Sequence, residues 1–344
     1  MLVIDTKDAV GHVLCHDITQ IVKDKVKGVA FKKGHIVREE DINVLLSLGK
    51  DHLYVWEKQE GMLHENEAAV ILKDACKSEY MEESPVKEGK IELISTIDGL
   101  LKIDVDRLKK INSIENMMIA TRHNNTPIKK GDKLAGTRII PLVIEEEKMN
   151  IVKNIGGNDP IIKIKPYVHK KVGIVTTGNE VFHGRIKDTF GPVVIDKVKE
   201  FDVDIIGQTI VDDNPENITN SILDFIKNGA DMVLCTGGMS VDPDDKTPKA
   251  IKDTGARVVS YGAPVLPGAM LLCAYYEKDN KNIPIIGLPG CVMYAKRTIF
   301  DLILPRIMAD EVITKEDLSK LGLGGLCLNC DVCTYPNCGF GKGQ

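Results

Sequence analysis

The sequence predicts an α/β fold: a mostly parallel sheet covered on both faces by helices, preceded by a mixed, β-rich N-terminal region. Three observations predict it. From Lys171 to Asp310, short Val- and Ile-rich runs alternate with segments whose apolar residues recur at helical spacing. The runs are nearly continuous apolar stretches, as strands buried on both faces are. The first 170 or so residues differ, being richer in turns and in short strand-like runs.

In chain order, "KVGIVTT" reads as a strand and "VVIDKVKEFD" as a helix. "DIIGQTIV" follows as a strand, then "NITNSILDFIKNG" as a helix stopped at Gly229. "DMVLCT" is a strand. "TPKAIKDTG" is a helix with Thr247 as N-cap, Pro248 first inside and Gly255 at its end. "IPIIGLPG" is the fourth strand, and "VMYAKRTIFDLILPRIM" one long helix. Upstream, "AVGHVLCHDI", "GVAFKKGHIV", "HLYVW", "KIELIST" and "DKLAGTRIIPLVI" read as strands, while "EEDINVLLSLG" and "HENEAAVILKDAC" read as helices. "KKG" occurs at Lys32–Gly34 and again at Lys129–Gly131, a recurring turn. Trp56 is expected to pack at a domain seam. The division expected is a β-rich module over 1–60, a mixed α+β module over 61–150, a linker over 151–170 with paired glycines and two prolines, the α/β domain over 171–310, and a Cys-rich tail over 311–344.

Composition excludes some function classes. The chain has 344 residues, 43% hydrophobic and 28% charged, with a formal net charge of -5. So mild an acidic excess gives no electrostatic reason to expect nucleic acid or a membrane surface as partner. No apolar run approaches the roughly 18 residues of a bilayer span, and the start reads as no signal peptide. The expected location is cytoplasmic.

The four strands run into "TTGNEV", "VDDNP", "TGGMSVDPDD" and "LPG". In a parallel sheet these carboxyl ends share one edge, where open α/β sheets bind ligands. Gly178, Gly237, Gly238 and Gly290 leave backbone N–H groups bare to approach anionic oxygens, and Thr176, Thr177, Thr236 and Ser240 add hydroxyls. Asp212, Asp213, Asp242, Asp244 and Asp245 beside them would repel a phosphate unless a divalent cation lay between. Mg²⁺ binds in that way, through one or two carboxylates plus ligand phosphates. Singly, "TGG" reads as a tight turn, "VDDNP" as an Asx turn into a helix, and "DPDD" as a solvated helix lead-in. Together, on one edge, they read as a binding site.

At these residues the chain resembles the molybdopterin-binding domain family, which includes the small molybdopterin adenylyltransferases and the catalytic domain of the gephyrin-like molybdopterin molybdenumtransferases. The resemblance runs through "TTGNEV", "DTFGPVV", "IVDDNPENI", "TGGMSVDPDDKTP", "VLPGAM" and "GLPGCV", in the family's order. It implies a three-layer α/β/α sandwich and a phosphorylated dithiolene pterin, free or adenylylated, as ligand. It implies that Thr177, Gly178, Glu180, Gly237, Gly238, Ser240, Pro267, Gly268, Pro289 and Gly290 line the site. It implies that Asp188 sits at an acidic position before a helix, and that Asp245 and Asp212 are catalytic and hold Mg²⁺. The stretches "AVGHVLCHDIT" and "KKGHIVREEDINVLLSLGKDHLYV" are similar to the N-terminal parts of the molybdenumtransferases, without their Asp-Gly-Tyr-Ala signature. The implied activity is Mg-dependent insertion of molybdate into adenylylated molybdopterin, by a homo-oligomer with a molybdoenzyme as a further partner. A non-catalytic carrier or maturation factor is the alternative, and a competence- or nicotinamide-related hydrolase on the same domain is a third.

The tail "GLCLNCDVCTYPNCGFGKGQ" spaces Cys327, Cys330, Cys333 and Cys338 as C-x2-C-x2-C-x4-C. The spacing is close to cluster-binding runs and compatible with tetrahedral zinc. A metal, zinc or iron–sulfur, would order a segment with almost no core of its own. Free thiols, local disulfides and a sulfur-handling role stand beside that reading. In "GMLHENEAA", Asn66 or Glu65 is expected to cap the following helix, and His64 is a weaker candidate for metal or proton transfer. Arg122 and His123 in "TRHNNTP" read as a polar turn, or as a wall of the ligand cleft.

Overall fold

The computed structural model describes residues 2–22, 26–55, 60–240, 242–243 and 245–343, so Trp56 and Asp244 lie outside the described residues. The chain divides into two compact units. Unit 1 comprises Met1–Thr96, Ile103–Arg122 and Gly131–Lys163; unit 2 comprises Ile97–Lys102, His123–Lys130 and Ile164–Gln344.

Unit 1 is β-rich, as its turn-punctuated sequence suggests. Leu2–Asp5 pairs antiparallel with His52–Val55, and Ile18–Val22 pairs antiparallel with Val26–Phe31. Ala9, Leu14, Ile18, Val37, Leu45 and Leu53 close a small core there. A four-stranded antiparallel sheet follows, ordered Met81–Glu83, Lys90–Ser95, Lys133–Ile139, Met117–Thr121. The stretch read as a linker carries the helix Glu146–Gly156 and the strand Ile162–Pro166.

The helix Glu65–Cys76 is capped by neither Asn66 nor Glu65. His64 is the N-cap, in a capping box with Glu67. Its Nδ1 accepts from Asn66 N at 3.1 Å and lies 3.2 Å from Lys33 Nζ, while Nε2 meets the Cys15 carbonyl at 2.9 Å. Only the neutral Nε2–H tautomer satisfies all three. Burial, with Lys33 nearby, lowers the imidazole's affinity for a proton accordingly. An imidazole cap has no place in the usual Ser/Thr/Asp/Asn rule, which is why sequence reasoning passed over it. Arg122 pairs with Asp132 at 2.7 Å.

Unit 2 is built on a six-stranded sheet. Its strands are β1 (Lys170–Thr177), β2 (Val203–Val211), β3 (Met232–Thr236), β4 (Arg257–Tyr261), β5 (Leu272–Lys278) and β6 (Lys281–Leu288), in the spatial order β2-β1-β3-β6-β5-β4. The pairings β2–β1, β1–β3 and β3–β6 are parallel; β6–β5 and β5–β4 are antiparallel. Sequence reasoning missed β4 and β5. β4 is a half-exposed edge strand and carries no continuous apolar run.

The helices are α1 (Asn179–Phe182), α2 (Phe190–Val198), α3 (Pro215–Lys227), α4 (Thr247–Asp253), α5 (Ile299–Met308) and α6 (Lys315–Lys320). Strand side chains alternate between two cores. Val172, Ile174, Met232 and Leu234 pack with Val194 and Val198 of α2 and with α5. Val175, Val233 and Cys235 pack with Ile218, Ile222 and Phe225 of α3 and with α4. Burying each such Val, Ile or Phe is worth about 1.5–3 kcal/mol. The expected single helix from Val292 is two elements, a 3-10 turn over Gly290–Met293 and α5. Thr298 and Asp301 form a capping box that starts α5 anew. Asp301, buried, also pairs with Lys197 at 2.8 Å and with Arg297 at 2.9 Å.

Candidate functional site

Register fixes the site. Thr176 of β1 pairs with Ile210 of β2 and with Thr236 of β3, Thr177 pairs with Val211, and Thr236 pairs with Leu288 of β6. The four carboxyl ends therefore share one rim. From β1 the chain crosses to β2 on one side, then to β3 on the other. The order reverses between β1 and β3, which makes their loops the topological switch point. β4 also ends on this rim, since Tyr261 pairs with Leu272 and Leu272 with Gly287.

The floor of the rim is threonine. Thr176, Thr177, Thr236 and Thr247 are all buried. Thr236 Oγ1 donates to Thr176 Oγ1 at 3.2 Å, and Thr247 Oγ1 donates to the Gly237 carbonyl at 2.8 Å. Because the Thr247 proton is spent there, Thr177 is the donor in its 3.1 Å contact with Thr247. Thr247 is thus the first residue of α4, not its N-cap, and its hydroxyl ties the β3 loop to the β1 loop. Buried hydroxyls without such partners would each cost about 1–3 kcal/mol.

Gly237 sits against this floor with φ +86; a Cβ there would stand 2.2 Å from the Thr177 carbonyl oxygen. No side chain fits, and backbone is what the loop presents. Gly238 is left-handed too, beside Thr247 and Thr177. Gly178 is buried with φ +138, and the exposed Glu180 folds back to within 2.8 Å of where a Gly178 Cβ would lie.

Asp188 joins the rim through a residue that sequence reasoning missed. Gln208 Nε2 donates to Thr176 Oγ1 at 2.8 Å and to Asp188 Oδ2 at 2.6 Å. The other Asp188 oxygen accepts from Phe190 N at 2.9 Å and Gly191 N at 3.0 Å, at the start of α2. A polar side chain inside the run "DIIGQTIV" was the available signal. Tyr261 was also missed. Its hydroxyl donates to the Met239 carbonyl at 2.8 Å, and burial, with the Asp245 carboxylate adding to it, raises the phenol's pKa.

The acids are held differently. Asp212 Oδ1 accepts from Asn214 N at 3.2 Å and Asn217 Nδ2 at 2.8 Å, an Asx turn into α3. Asp213 bonds Asn179 N at 2.8 Å and so links the β2 loop to α1. Asp245 Oδ2 accepts from Asp242 N at 3.3 Å, within its own loop. Among the described residues, no hydrogen bond joins Asp212 to Asp245. Ser240 is exposed, with its carbonyl 3.3 Å from the Tyr261 hydroxyl. Pro289 is buried and Gly290 exposed, with open space where a Gly290 side chain would go.

Pro267 and Gly268, between β4 and β5, face another neighbour. A Cβ on Gly268 would meet Ile299 at 2.4 Å, and the Pro267 carbonyl accepts from Ile299 N at 3.1 Å. Pro267 lines a cavity together with Cys327, Cys330, Cys333 and Cys338. Among the described residues, no three His, Cys, Asp or Glu side chains are grouped to hold a metal ion.

Chemically, the rim offers bare backbone and buried hydroxyls beside carboxylates. That combination suits an oxyanion-bearing ligand. No described helix is long and apolar enough to cross a membrane.

A "CinA-like protein" of Mycobacterium avium (strain 104) is 33% identical over 84 residues, 24% of this chain and 19% of the relative. The chain thus spans about a fifth of the length of the curated relatives it matches. A tungsten cofactor synthesizing protein MoaB from Pyrococcus furiosus aligns at 19% identity and TM-score 0.34, over 41% of this chain and 96% of that one. A CinA protein with unknown function from Thermoplasma acidophilum aligns at 16% identity and TM-score 0.32, over 40% and 98%. Residues 3–57 match a domain of unknown function, DUF8806. Residues 173–309, which carry the whole rim, match the family described as a probable molybdopterin binding domain.

Proposed function

We propose that unit 2 binds molybdopterin, free or adenylylated, on the rim where β1 and β3 diverge, and that the chain acts in molybdenum cofactor biosynthesis as a molybdenumtransferase. The observation that carries this is the contact of Gly237 backbone with Thr177 over a floor of four buried threonines, inside the segment that matches the molybdopterin-binding family. Thr177, Gly178, Gly237, Gly238 and Ser240 take the ligand's phosphate. Glu180 and Asp188, with Pro267, Gly268, Pro289 and Gly290, border its pterin end. The domain is read as a three-layer α/β/α sandwich, cytoplasmic and homo-oligomeric, and the five-part division of the chain is kept as its working plan.

Asp212 and Asp245 are the pair suited to Mg²⁺. Each is bonded within its own loop through one carboxylate oxygen. Mg²⁺ takes one or two carboxylates and completes its shell with phosphate and water. Bound there, it would offset charge on the phosphoanhydride of the adenylylated ligand. The chain's own contribution is orientation: the threonine floor fixes the glycine loops whose backbone N–H groups hold the phosphate, and molybdate is delivered to the two sulfurs of a fixed dithiolene. The tail cysteines are read as a metal site, zinc or iron–sulfur, that orders the segment.

The test is turnover. Adenylylated molybdopterin, Mg²⁺ and molybdate are supplied, and AMP release is followed in the parent and in Asp245→Ala. The expected result is AMP release that the substitution abolishes. A carrier that passes the cofactor to a molybdoenzyme is the second reading, favoured by acids tied in separate loops; it predicts tight binding with no AMP. Hydrolysis of a pyridine nucleotide or ADP-ribose in place of the pterin would overturn both.

A further inference from the structure

The tail is docked on the rim end of unit 2. β6 leaves the sheet at Leu288, passes through the 3-10 turn Gly290–Met293 and reaches Tyr294. Pro267 lies in the connection from β4 to β5, whose ends share that rim. Leu266 N donates to the Gly325 carbonyl and Cys327 N to the Leu266 carbonyl, both at 2.8 Å. Tyr335 OH donates to the Asp301 carbonyl at 2.8 Å, and Phe340 is buried in the core formed with α5. Between the tail so anchored and these rim loops lies a cavity of about 680 Å³, lined in part by Pro267, Tyr294, Lys296, Asp331 and Tyr335. Its tail wall lies beyond residues 173–309, outside the segment that matches the family.

We infer that this cavity seats the pyrimidinone ring of a pterin, an inference that rests on the reading of the rim as a molybdopterin site. Position is the first reason. Thr189 Oγ1 donates to Met293 Sδ at 3.3 Å, and Thr189 follows Asp188, which Gln208 ties to the threonine floor. Tyr294 is the next residue after Met293. Cavity and floor therefore border one continuous stretch of rim loops, and a ligand whose phosphate lies on Gly237 runs along that stretch towards Pro267. Size and lining are the second reason. Pockets for small organic ligands measure about 300–1,000 Å³. Tyr294, Leu326 and Leu328 line this one and are mostly exposed, leaving apolar faces that a heterocycle covers by stacking.

Polarity is the third reason, and it selects the ring. Arg297 also lines the cavity, but its guanidinium is held by Glu200 at 3.2 Å and by Asp301 at 2.9 Å. What remains is one cation beside one anion. Lys296 Nζ gives one proton to the Asp331 carbonyl at 2.8 Å and keeps two. Among the described residues, nothing bonds or pairs with the Asp331 carboxylate. A free anion gains little from a pair whose charges cancel. A carboxylate beside an ammonium instead accepts two adjacent N–H groups and offers a donor to the carbonyl next to them. The aminopyrimidinone edge of a pterin presents amino N–H, ring N–H and carbonyl in that order. Asp331 takes the first two and Lys296 the third, with the ring against Tyr294.

The test is pterin itself, titrated into the full chain and followed by quenching of its fluorescence. Saturable quenching is expected. Asp331→Asn, whose amide replaces one acceptor by a donor, should weaken binding about tenfold, and Tyr294→Ala severalfold. Both residues are exposed, and unchanged far-UV circular dichroism checks the fold. Lumazine, with a carbonyl in place of the amino group, should bind about tenfold more weakly than pterin. Pterin should also slow alkylation of Cys330, which lines the cavity and is exposed. Equal binding of pterin by the parent and Asp331→Asn, with Cys330 alkylated at the unprotected rate, would overturn the cavity and leave molybdopterin on the rim standing. Guanosine carries the same edge on another ring system; if it bound as tightly as pterin, the pterin assignment would fall. A chain that binds adenylylated molybdopterin but no pterin would overturn the cavity alone. A chain that binds neither would overturn both readings.

Discussion

The threonine–glycine rim and the cysteine cavity lie in the same unit and are built in opposite ways. On the rim, hydroxyls are buried and bonded to one another before any ligand arrives. In the tail, two of the four thiols face solvent around an open space. The first is preorganised, so its cost falls on folding; the second is open, so the cost of ordering it around any ligand would fall on binding. The same chain therefore couples stability to the site at the rim and uncouples it at the tail.

The largest effect expected from this contrast is at Gly237. Gly237→Ala puts a methyl 2.2 Å from the Thr177 carbonyl in a left-handed backbone, with no flexible side chain to yield. About 3 kcal/mol of unfolding free energy should be lost, together with pterin binding. Cys330→Ser should change the metal-free chain by less than about 0.5 kcal/mol. Urea titrations of the two variants check this. A Gly237→Ala protein within about 1 kcal/mol of the parent would remove preorganisation from the rim.

A lesion away from both regions separates loss of packing from loss of ligand. Glu311 is nearly buried and meets Lys102 at 2.8 Å, Lys165 at 3.0 Å and Arg306 at 2.9 Å. Burial alone would raise its carboxyl; the bonds from Lys102, Arg306 and Lys165 outweigh burial and pull it to about 2. Glu311→Gln should cost about 2 kcal/mol, because it removes the carboxylate shared by three cations, of which Arg306 keeps Asp317 and Lys102 keeps Asn125, yet leave pterin affinity unchanged. The pH dependence has a definite sign. Between the folded value of about 2 and the unfolded carboxyl near ~4.3, the unfolded chain binds more protons. Stability from Glu311 is therefore present above that unfolded value and lost as pH falls towards 2. Stability of the Gln variant, followed by urea titration down to pH 3, should lack that part of the slope.

What the sequence made legible follows the same division. The strand ends at Thr177, Thr236 and Leu288 were readable because buried parallel strands are near-continuous apolar runs, and runs ending in glycine can be aligned by topology alone. The recurring "KKG" was readable as well. Both copies place a glycine near φ +85, and the middle Lys N–H bonds Asp17 at 2.7 Å in one and Asp98 at 2.8 Å in the other. Contacts between distant segments were not. Nothing near Thr247 announces Gly237 or Thr177 as partners, so an N-cap was the natural expectation. Pro267 and Gly268 were visible as a motif, but their contact with α5 and the tail arises only in three dimensions.

Gln208 tests how far the preorganised network extends. Its amide is the hydrogen-bonded link between Asp188 and the threonine floor. Gln208→Ala should weaken molybdopterin binding about tenfold, which is roughly 1.4 kcal/mol, with a smaller change in stability because the residue is exposed. Calorimetric titration measures the first and thermal denaturation the second. Unchanged affinity would confine the working rim to the β1 and β3 loops.

The smallest effect, on stability, is the clearest on reactivity. Burial pushes the Cys273 and Cys76 thiols up to about 12, and raises Cys235 as well. Buried and protonated, they are poor nucleophiles at neutral pH. Cys330 and Cys333 are exposed. Brief iodoacetamide treatment of the native metal-free chain, read by peptide mass spectrometry, should label Cys330 and Cys333 first and spare Cys76, Cys235 and Cys273. The melting temperature should not move, since the labelled residues carry no core. On the proposed reading of the tail as a metal site, incubation with zinc, or with ferrous iron and sulfide, should then protect the tail cysteines while the buried three stay as they were. Protection that failed to follow metal content would mean that the open region is not completed by a metal, and the contrast with the rim would lose its second half.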